Sequence, residues 1–85
     1  MILSGVQARM ARAALKMSVR DLASAAQVSP NTVTRLEADQ ACNAPTLLAI
    51  RSTFEAAGIE FIPENGGGVG VRLKARMSGP PAQRG

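Results

Sequence analysis

The chain has 85 residues, with ten Lys or Arg against six Asp or Glu and a net charge of +4 at neutral pH. This length makes one small domain with a modest core. The positive surplus suits a polyanionic partner, because Lys and Arg that replace condensed counterions on phosphates gain binding free energy. Histidine, Trp and Tyr are absent and only two Phe occur, so the aromatic platforms that bind single-stranded nucleic acid are missing.

The composition also argues against a metal-binding site and against a membrane-spanning segment. Cys42 is the single cysteine, so no disulfide forms within the chain, and without histidine no zinc-binding set is available. We therefore expect no metal and no cofactor, and a reducing cytoplasm as the setting. No apolar run approaches the ~18 residues of a membrane helix. Residues 1–17 are interpreted as a helix and not as a targeting peptide, because their apolar residues are spread at helical spacing.

The first predicted helix spans roughly residues 4–16. Ser4 and Gln7 stand at the spacing of a capping box, in which the two side chains satisfy free backbone N–H groups. Apolar residues at helical spacing predict an inner face formed by Val6, Met10, Ala13, Ala14 and Met17. The basic residues Arg9, Arg12 and Lys16 take the other side.

Two short helices joined by a tight turn are predicted over residues 18–38. Ser18 begins helix 2, which runs to about Ala26; Ser29 then caps helix 3, and Pro30 occupies its first turn. The two helices are expected to be held together by an apolar set, namely Leu22, Ala23, Ala26, Val28, Val33 and Leu36. An outward stripe remains on helix 3, formed by Asn31, Thr34, Arg35 and Ala38. An exposed helix supported in this way fits the major groove of duplex DNA.

A fourth helix and a β-hairpin are predicted next. Pro45 opens helix 4 after the loop 39–44, and Gly58 closes it as a left-handed cap. The expected inner residues of this helix are Leu47, Ile50, Phe54 and Ala57. Alternating apolar residues then predict strands near 59–62 and 69–74, with a turn signal at Asn65-Gly66. The glycines 66–68 precede a strand, so we interpret them as a turn and not as a phosphate-binding loop. Residues 75–85 are predicted to be a disordered tail.

The pattern LAxxAxVSxxTVxxLE, which runs from Leu22 to Glu37, resembles the helix-turn-helix family of phage repressors and Cro proteins. The resemblance covers residues 4–58. It implies a mainly α fold: a four-helix lambda-repressor-like helix-turn-helix domain over residues 1–58, followed here by the C-terminal β-hairpin 59–74 and the tail 75–85. It also implies a cytoplasmic transcriptional regulator, bacterial or phage-encoded, that binds double-stranded DNA and is nucleoid-associated when bound.

The resemblance also implies roles for individual positions. The base-reading positions of the family correspond to Pro30, Asn31, Thr34 and Arg35. The residues expected at DNA phosphates are Arg9, Lys16, Arg20, Ser29, Thr32 and Asn43, with Arg51 as a further candidate. Arg12 and Glu37 match an internal ion pair that ties helix 1 to helix 3, so we do not expect Arg12 to contact DNA.

Three positions depart from the family pattern. Val19 stands where a glutamine usually contacts a phosphate, so that contact is lost or supplied by Arg20. Gln27 stands in the turn where glycine tolerates a positive φ, which predicts strain or a slightly different turn. Asp39 replaces a glycine that usually follows helix 3.

Two packings of the hairpin are open. A lone two-stranded hairpin is marginal in water, so its apolar residues must pack on the helices or on another chain. The favoured prediction is a sheet formed across a two-fold axis, which would give a homodimeric repressor that reads an inverted repeat. The residues predicted at that interface are Ile59, Phe61, Val69, Val71 and Leu73.

The competing function is a protein-interaction module of the same fold, an antitoxin or antiactivator that binds a second regulatory protein. The absence of glutamine at position 19 slightly favours it. An enzyme is not predicted, because Glu60 and Glu64 flank a hairpin turn as surface charges and no other acid–base couple is visible.

Overall fold

The computed structural model describes residues 2–74. Four helices come first: α1 (Gly5–Leu15), α2 (Val19–Ala26), α3 (Pro30–Glu37) and α4 (Ala44–Ala56). Two strands follow, β1 (Ile59–Ile62) and β2 (Gly70–Leu73). The predicted mainly α fold with a terminal hairpin is confirmed. The tail predicted over residues 75–85 lies outside the described residues.

Each helix begins at a polar residue that caps it. Ser4 and Gln7 form a reciprocal capping box at α1, and Ser18 and Asp21 form another at α2. The Ser29 Oγ accepts a hydrogen bond from the backbone N–H of Thr32 at 3.1 Å, at the start of α3. These side chains satisfy donors that the first turn of a helix leaves without partners. The sequence therefore determines where these helices start.

Three helices are followed by a residue other than glycine that adopts a left-handed backbone, directly after α1 and α2 and two residues after α3. Lys16, Gln27 and Asp39 have φ angles of 58°, 60° and 61°. After α2, the Gln27 N–H donates to the Ser24 carbonyl at 3.3 Å and the Val28 N–H to the Ala23 carbonyl at 3.0 Å. This pair of bonds is a Schellman motif, which usually has glycine at the left-handed position. Gln27 therefore holds a conformation that is uncommon for a residue with a Cβ.

The core lies where the helices and the start of β1 meet. The largest fully buried side chains are Phe54, Leu3, Leu22, Ile50, Ile59 and Val33. The apolar set predicted between α2 and α3 is buried, apart from half-buried Val28. One prediction for α4 is wrong, because Ala57 is exposed. The helix has ended at Ala56, and the chain turns toward β1 at Gly58, which has a φ of 101°.

The predicted inner face of α1 is wrong. Val6, Ala13 and Ala14 are exposed and the two methionines are half-buried, whereas the buried residues are Gly5, Gln7, Ala8 and Ala11. The first turn of α1 approaches the end of α3 closely: a Cβ on Gly5 would lie 2.5 Å from the Leu36 carbonyl oxygen. Small residues permit this approach. A pattern based on large apolar residues could not reveal it.

The hairpin packs on its own chain. Its strands are antiparallel, with Ile59 opposite Leu73 and Ile62 opposite Gly70. Ile59 is fully buried, and Phe61 and Val71 pack on the core as half-buried residues. Of the five residues predicted at a dimer interface, only Val69 and Leu73 are exposed, at 39% and 54%. The assignment of Ile59 to a surface between chains is therefore corrected, because its side chain belongs to the intramolecular core.

The buried Gln7 joins α1 to this hairpin. Its Nε2 donates to the carbonyl oxygens of Ile62 at 3.5 Å and Gly70 at 3.4 Å. Residues 63–69 connect the strands, one residue more than the predicted segment 63–68 that contains the turn signal Asn65-Gly66. The Glu64 carboxylate orders this loop by accepting hydrogen bonds from the N–H groups of Gly66 and Gly68, at 3.3 and 3.0 Å.

Candidate nucleic-acid interface

The outward side of α3 is the candidate interface. Val33 and Leu36 bury the inner side of this helix in the core. The predicted outer stripe, Asn31, Thr34, Arg35 and Ala38, is exposed along its whole length. Within residues 2–74, no other part of the chain covers this edge. A partner can therefore approach it directly.

The side chains at the start of α3 are already ordered. The hydroxyls of Ser29 and Thr32 share a hydrogen bond of 2.9 Å. Pro30 occupies the first helical position, where its missing N–H removes no helical hydrogen bond. Thr34 donates its hydroxyl to the Pro30 carbonyl at 3.2 Å, so its methyl group is the part best suited to an outside contact.

Arg35 is held by the loop after its own helix. Its Nη2 donates to the Ala41 carbonyl at 3.1 Å. In the same loop, the Asn43 Oδ1 accepts from the Thr46 N–H at 2.9 Å and caps α4. This cap uses the carbonyl oxygen of the Asn43 amide and leaves its NH₂ group for other acceptors. The loop thus holds the Arg35 guanidinium through Ala41 and carries one amide donor, that of Asn43.

Two arginines of α1 hold the rear of α3. Arg12 forms a bidentate pair with Glu37, with Nε to Oε2 at 2.6 Å and Nη2 to Oε1 at 2.9 Å. A third donor, Nη1, contacts the Met17 carbonyl at 3.0 Å. The hydrogen bonds that Arg12 donates to the Glu37 carboxylate raise the pKa of Arg12, against the opposing effect of burial. Arg9 donates to the Glu37 backbone carbonyl. The α3 C-terminus, where carbonyls carry partial negative charge, is thus bound by two cations.

The remaining predicted phosphate contacts differ in their surroundings. Lys16 and Arg20 are exposed, and no hydrogen bond joins their side chains to another residue of the described range 2–74. Arg9 is exposed too, but the Glu37 carbonyl engages it. Arg51 donates to the Ile2 carbonyl at 2.6 Å and to Glu55 at 3.0 Å. Val19 is half-buried against the core, and its aliphatic side chain has no group that can bind a phosphate.

Sequence reasoning missed two features of this site. The Ala41 carbonyl holds Arg35, and the sequence gives no signal for a backbone contact of this kind. Gly5 sets the distance between α1 and α3. A glycine inside a predicted helix was the available signal, because such a glycine often marks a close approach.

The described residues 2–74 show no sign of metal or membrane chemistry. No group of three or more His, Cys, Asp or Glu side chains comes together there. No helix in that range is both long and apolar enough to cross a bilayer.

The geometry is that of a helix-turn-helix DNA-binding module: a supporting helix, a tight turn and a second helix with one exposed polar edge. The model of the helix-turn-helix family matches residues 9–55, more than half of the chain. The chain belongs to this Cro/C1-type helix-turn-helix family of DNA-binding regulators. No curated protein matches the chain.

Proposed function

We propose that this protein is a sequence-specific transcriptional regulator, a homodimeric repressor that reads a short inverted repeat in duplex DNA through α3. The observation that carries the proposal is the uncovered polar edge of α3, set against an inner side fixed in the core. A helix presented in this way can enter the major groove, where each base pair displays a distinct set of donors and acceptors. Such a regulator acts where the chromosome lies, in the bacterial cytoplasm.

Base reading would use the outer edge of α3. The Asn31 amide can bind adenine and the Arg35 guanidinium can bind guanine, each through two hydrogen bonds worth about 1–3 kcal/mol of discrimination. The Ala41 carbonyl uses one donor of Arg35 and leaves the others for a base. The Pro30 ring and the Thr34 methyl are suited to apolar contact with thymine methyl groups.

Phosphate anchoring would use groups around that edge. The hydroxyls of Ser29 and Thr32 and the Asn43 amide are polar groups of the kind that bind phosphate oxygens. Lys16 and Arg20 supply free positive charge. Arg9 is exposed, and the Glu37 carbonyl uses one of its donors and leaves the others for a phosphate.

Dimerisation would use what remains exposed of the hairpin. Each strand pairs on one side only within residues 2–74, which leaves edges that a second chain can extend. We expect Leu73→Glu to dissociate the dimer in sedimentation experiments. Leu48, on α4, is a matched control because it is 52% exposed against 54% for Leu73. If Leu48→Glu dissociates the dimer and Leu73→Glu does not, the interface lies on α4.

The test of the proposed function is selection of bound duplexes from a random DNA library, followed by footprinting on the selected sequence. We expect a short inverted repeat, with half-sites about one helical turn apart. Arg35→Ala should relax the preference at one base pair of each half-site. Arg72→Ala is the control, because that arginine lies on the hairpin and pairs with Glu60 at 3.0 Å. If no sequence is enriched and no protection appears, the protein is not a sequence-specific reader.

A protein-interaction module is the second candidate, and one surface favours it. Between α2 and α4 lies a shallow surface without charged side chains, lined by Met17, Ala25, Ser52, Thr53, Ala56 and Ala57. The dependence of affinity on salt separates the two candidates. If Lys16 and Arg20 bind phosphates in both protomers, log affinity should fall with log salt at a slope of about −3.6. A slope near zero with DNA, together with tight binding to another regulator, favours the second candidate.

A further inference from the structure

We propose that the side chain of Gln27 contacts a DNA phosphate beside the start of α3. No role was predicted for this side chain from the sequence, which indicated strain in its backbone or a slightly different turn. The inference rests on the proposed function, since it names a further contact in the same DNA complex. It comes from a comparison of the three residues that adopt the left-handed conformation without being glycine.

The three positions have the same backbone cost. Lys16, Gln27 and Asp39 each follow a helix with φ near 60°, a conformation in which a Cβ crowds the following carbonyl. Glycine would avoid this cost at all three positions. A side chain that is retained there should therefore offer a compensating interaction.

For two of the three, the compensation lies inside the chain. Lys16 places a cation at the C-terminus of α1, where the helix dipole favours positive charge. The Asp39 carboxylate lies at the other end of α1, because a Cβ on Gly5 would be 2.6 Å from its Oδ1. A negative charge at that N-terminus is also favourable. Both residues thus stabilise α1.

Gln27 has no such compensation. Its side chain is uncharged and exposed, and no hydrogen bond joins its amide to any other residue between 2 and 74. Within residues 2–74, replacement of the amide by glycine would therefore cost no hydrogen bond. The compensating interaction that we infer is with a molecule outside the chain.

The position of Gln27, next to the start of the helix that is proposed to enter the groove, points to DNA as that molecule. Gln27 stands two residues before Ser29, so its Cα lies at most ~7 Å from that of the residue that caps α3. It precedes the helix and does not belong to the stripe that faces the groove. A neutral amide beside the groove is suited to donate a hydrogen bond to a phosphate oxygen. Such a contact contributes affinity but no sequence preference.

The experiment compares Gln27→Gly and Gln27→Glu with the wild-type protein, by fluorescence anisotropy. The probes are the selected operator duplex and an unrelated duplex of the same length. Gln27→Gly should raise Tm by about 2–8 °C and yet weaken binding to both duplexes by the same factor, about 2- to 10-fold. The salt dependence should not change, because a neutral amide displaces no counterion.

Gln27→Glu keeps the backbone restricted, so it excludes turn flexibility as the cause of a loss. A carboxylate beside a phosphate should weaken binding further at low salt, and more than the same charge added by Ser52→Glu on the exposed face of α4. If wild-type protein binds neither duplex, the proposed function fails and this inference fails with it. If the wild type binds and the Gln27 variants match their controls, only this inference is refuted. A loss confined to the operator would also refute it, because Gln27 would then read a base.

Discussion

The Arg12–Glu37 pair should contribute more to stability than any other ion pair in residues 2–74. Its side chains are only 23% and 10% exposed, and two short hydrogen bonds join them. Removal of one member of a buried pair typically costs 3–5 kcal/mol, because the other charge is left without a partner. Partial exposure reduces this cost, so we expect Arg12→Met to lower the free energy of unfolding by about 3 kcal/mol. A domain of this length has only about 4–13 kcal/mol in total.

The assay is urea and thermal unfolding followed by far-UV circular dichroism, since the chain has no Trp or Tyr for fluorescence. The expected loss lowers Tm by about 12–24 °C. Glu37→Met should cost somewhat less, because Arg12 still reaches solvent and the Met17 carbonyl. The double variant should be no less stable than Arg12→Met, since it leaves no charge unpaired. If the single variants lose about 3 and about 2 kcal/mol and the double variant about 3 kcal/mol, the coupling energy between Arg12 and Glu37 is about 2 kcal/mol.

The exposed pair Arg51–Glu55 is the control. Its side chains are 34% and 45% exposed, and Glu55→Gln should cost only about 0.5 kcal/mol. If Arg12→Met costs no more than this control, or if the two single effects simply add, the pair does not hold α3 to α1.

Three further predictions concern the same framework. Gly5→Ala should destabilise the protein by about 1–3 kcal/mol in urea unfolding, because the new Cβ meets the Leu36 carbonyl and forces α1 away from α3; an unchanged midpoint would contradict this. Gln7→Leu should cost about 1–2 kcal/mol and speed amide exchange in the hairpin, because the Ile62 carbonyl loses a buried donor; unchanged exchange would show that the hairpin holds itself. Hydrogen bonds from the backbone and hydroxyl of Ser18 lower the pKa of Asp21, so its contribution to stability is present above its unfolded-state pKa and lost as the pH falls below about 4. In the Asp21→Asn variant, Tm should therefore decline less steeply as the pH falls through that range. Parallel curves of Tm against pH for the variant and the wild type would refute this prediction.

Sequence reasoning succeeded where local chemistry decides the structure. Ser4, Ser18 and Ser29 each stand where a helix begins, because a capping side chain needs only residues three positions away. The apolar pattern of α2 and α3 identified the buried residues, since leucine and valine are large enough to mark a face. Gly58 marked the end of α4 for the same local reason: a positive φ at this point suits glycine.

Prediction from the sequence failed where contacts between distant parts of the chain determine which residues are buried. The buried face of α1 includes Gln7, a polar residue whose partners lie in the hairpin, more than fifty residues away along the chain. The same face includes Ala8 and Ala11, which are too small to stand out from the alanines on the exposed side. The alternation of Ile59 with Phe61 predicts an apolar strand face, but it is the same whether that face packs on the helices or on a second chain. Ile59 was therefore wrongly assigned to a dimer interface. Only the tertiary structure shows that its partner is the core of its own chain.

The arginines around α3 show why composition alone overstates the attraction for DNA. Arg9 and Arg12 bind the C-terminus of α3, and Arg51 binds the carbonyl of Ile2. Their hydrogen bonds stabilise the framework, and part of their donors is engaged within the chain. On the outward edge stands Arg35 alone, with one donor used by the loop. Because few free cations surround that edge, the proposed discrimination between sequences would rest on the groups that enter the groove more than on a broad basic surface. The cations behind α3 would serve the proposed readout indirectly, since they hold in place the helix that carries this edge.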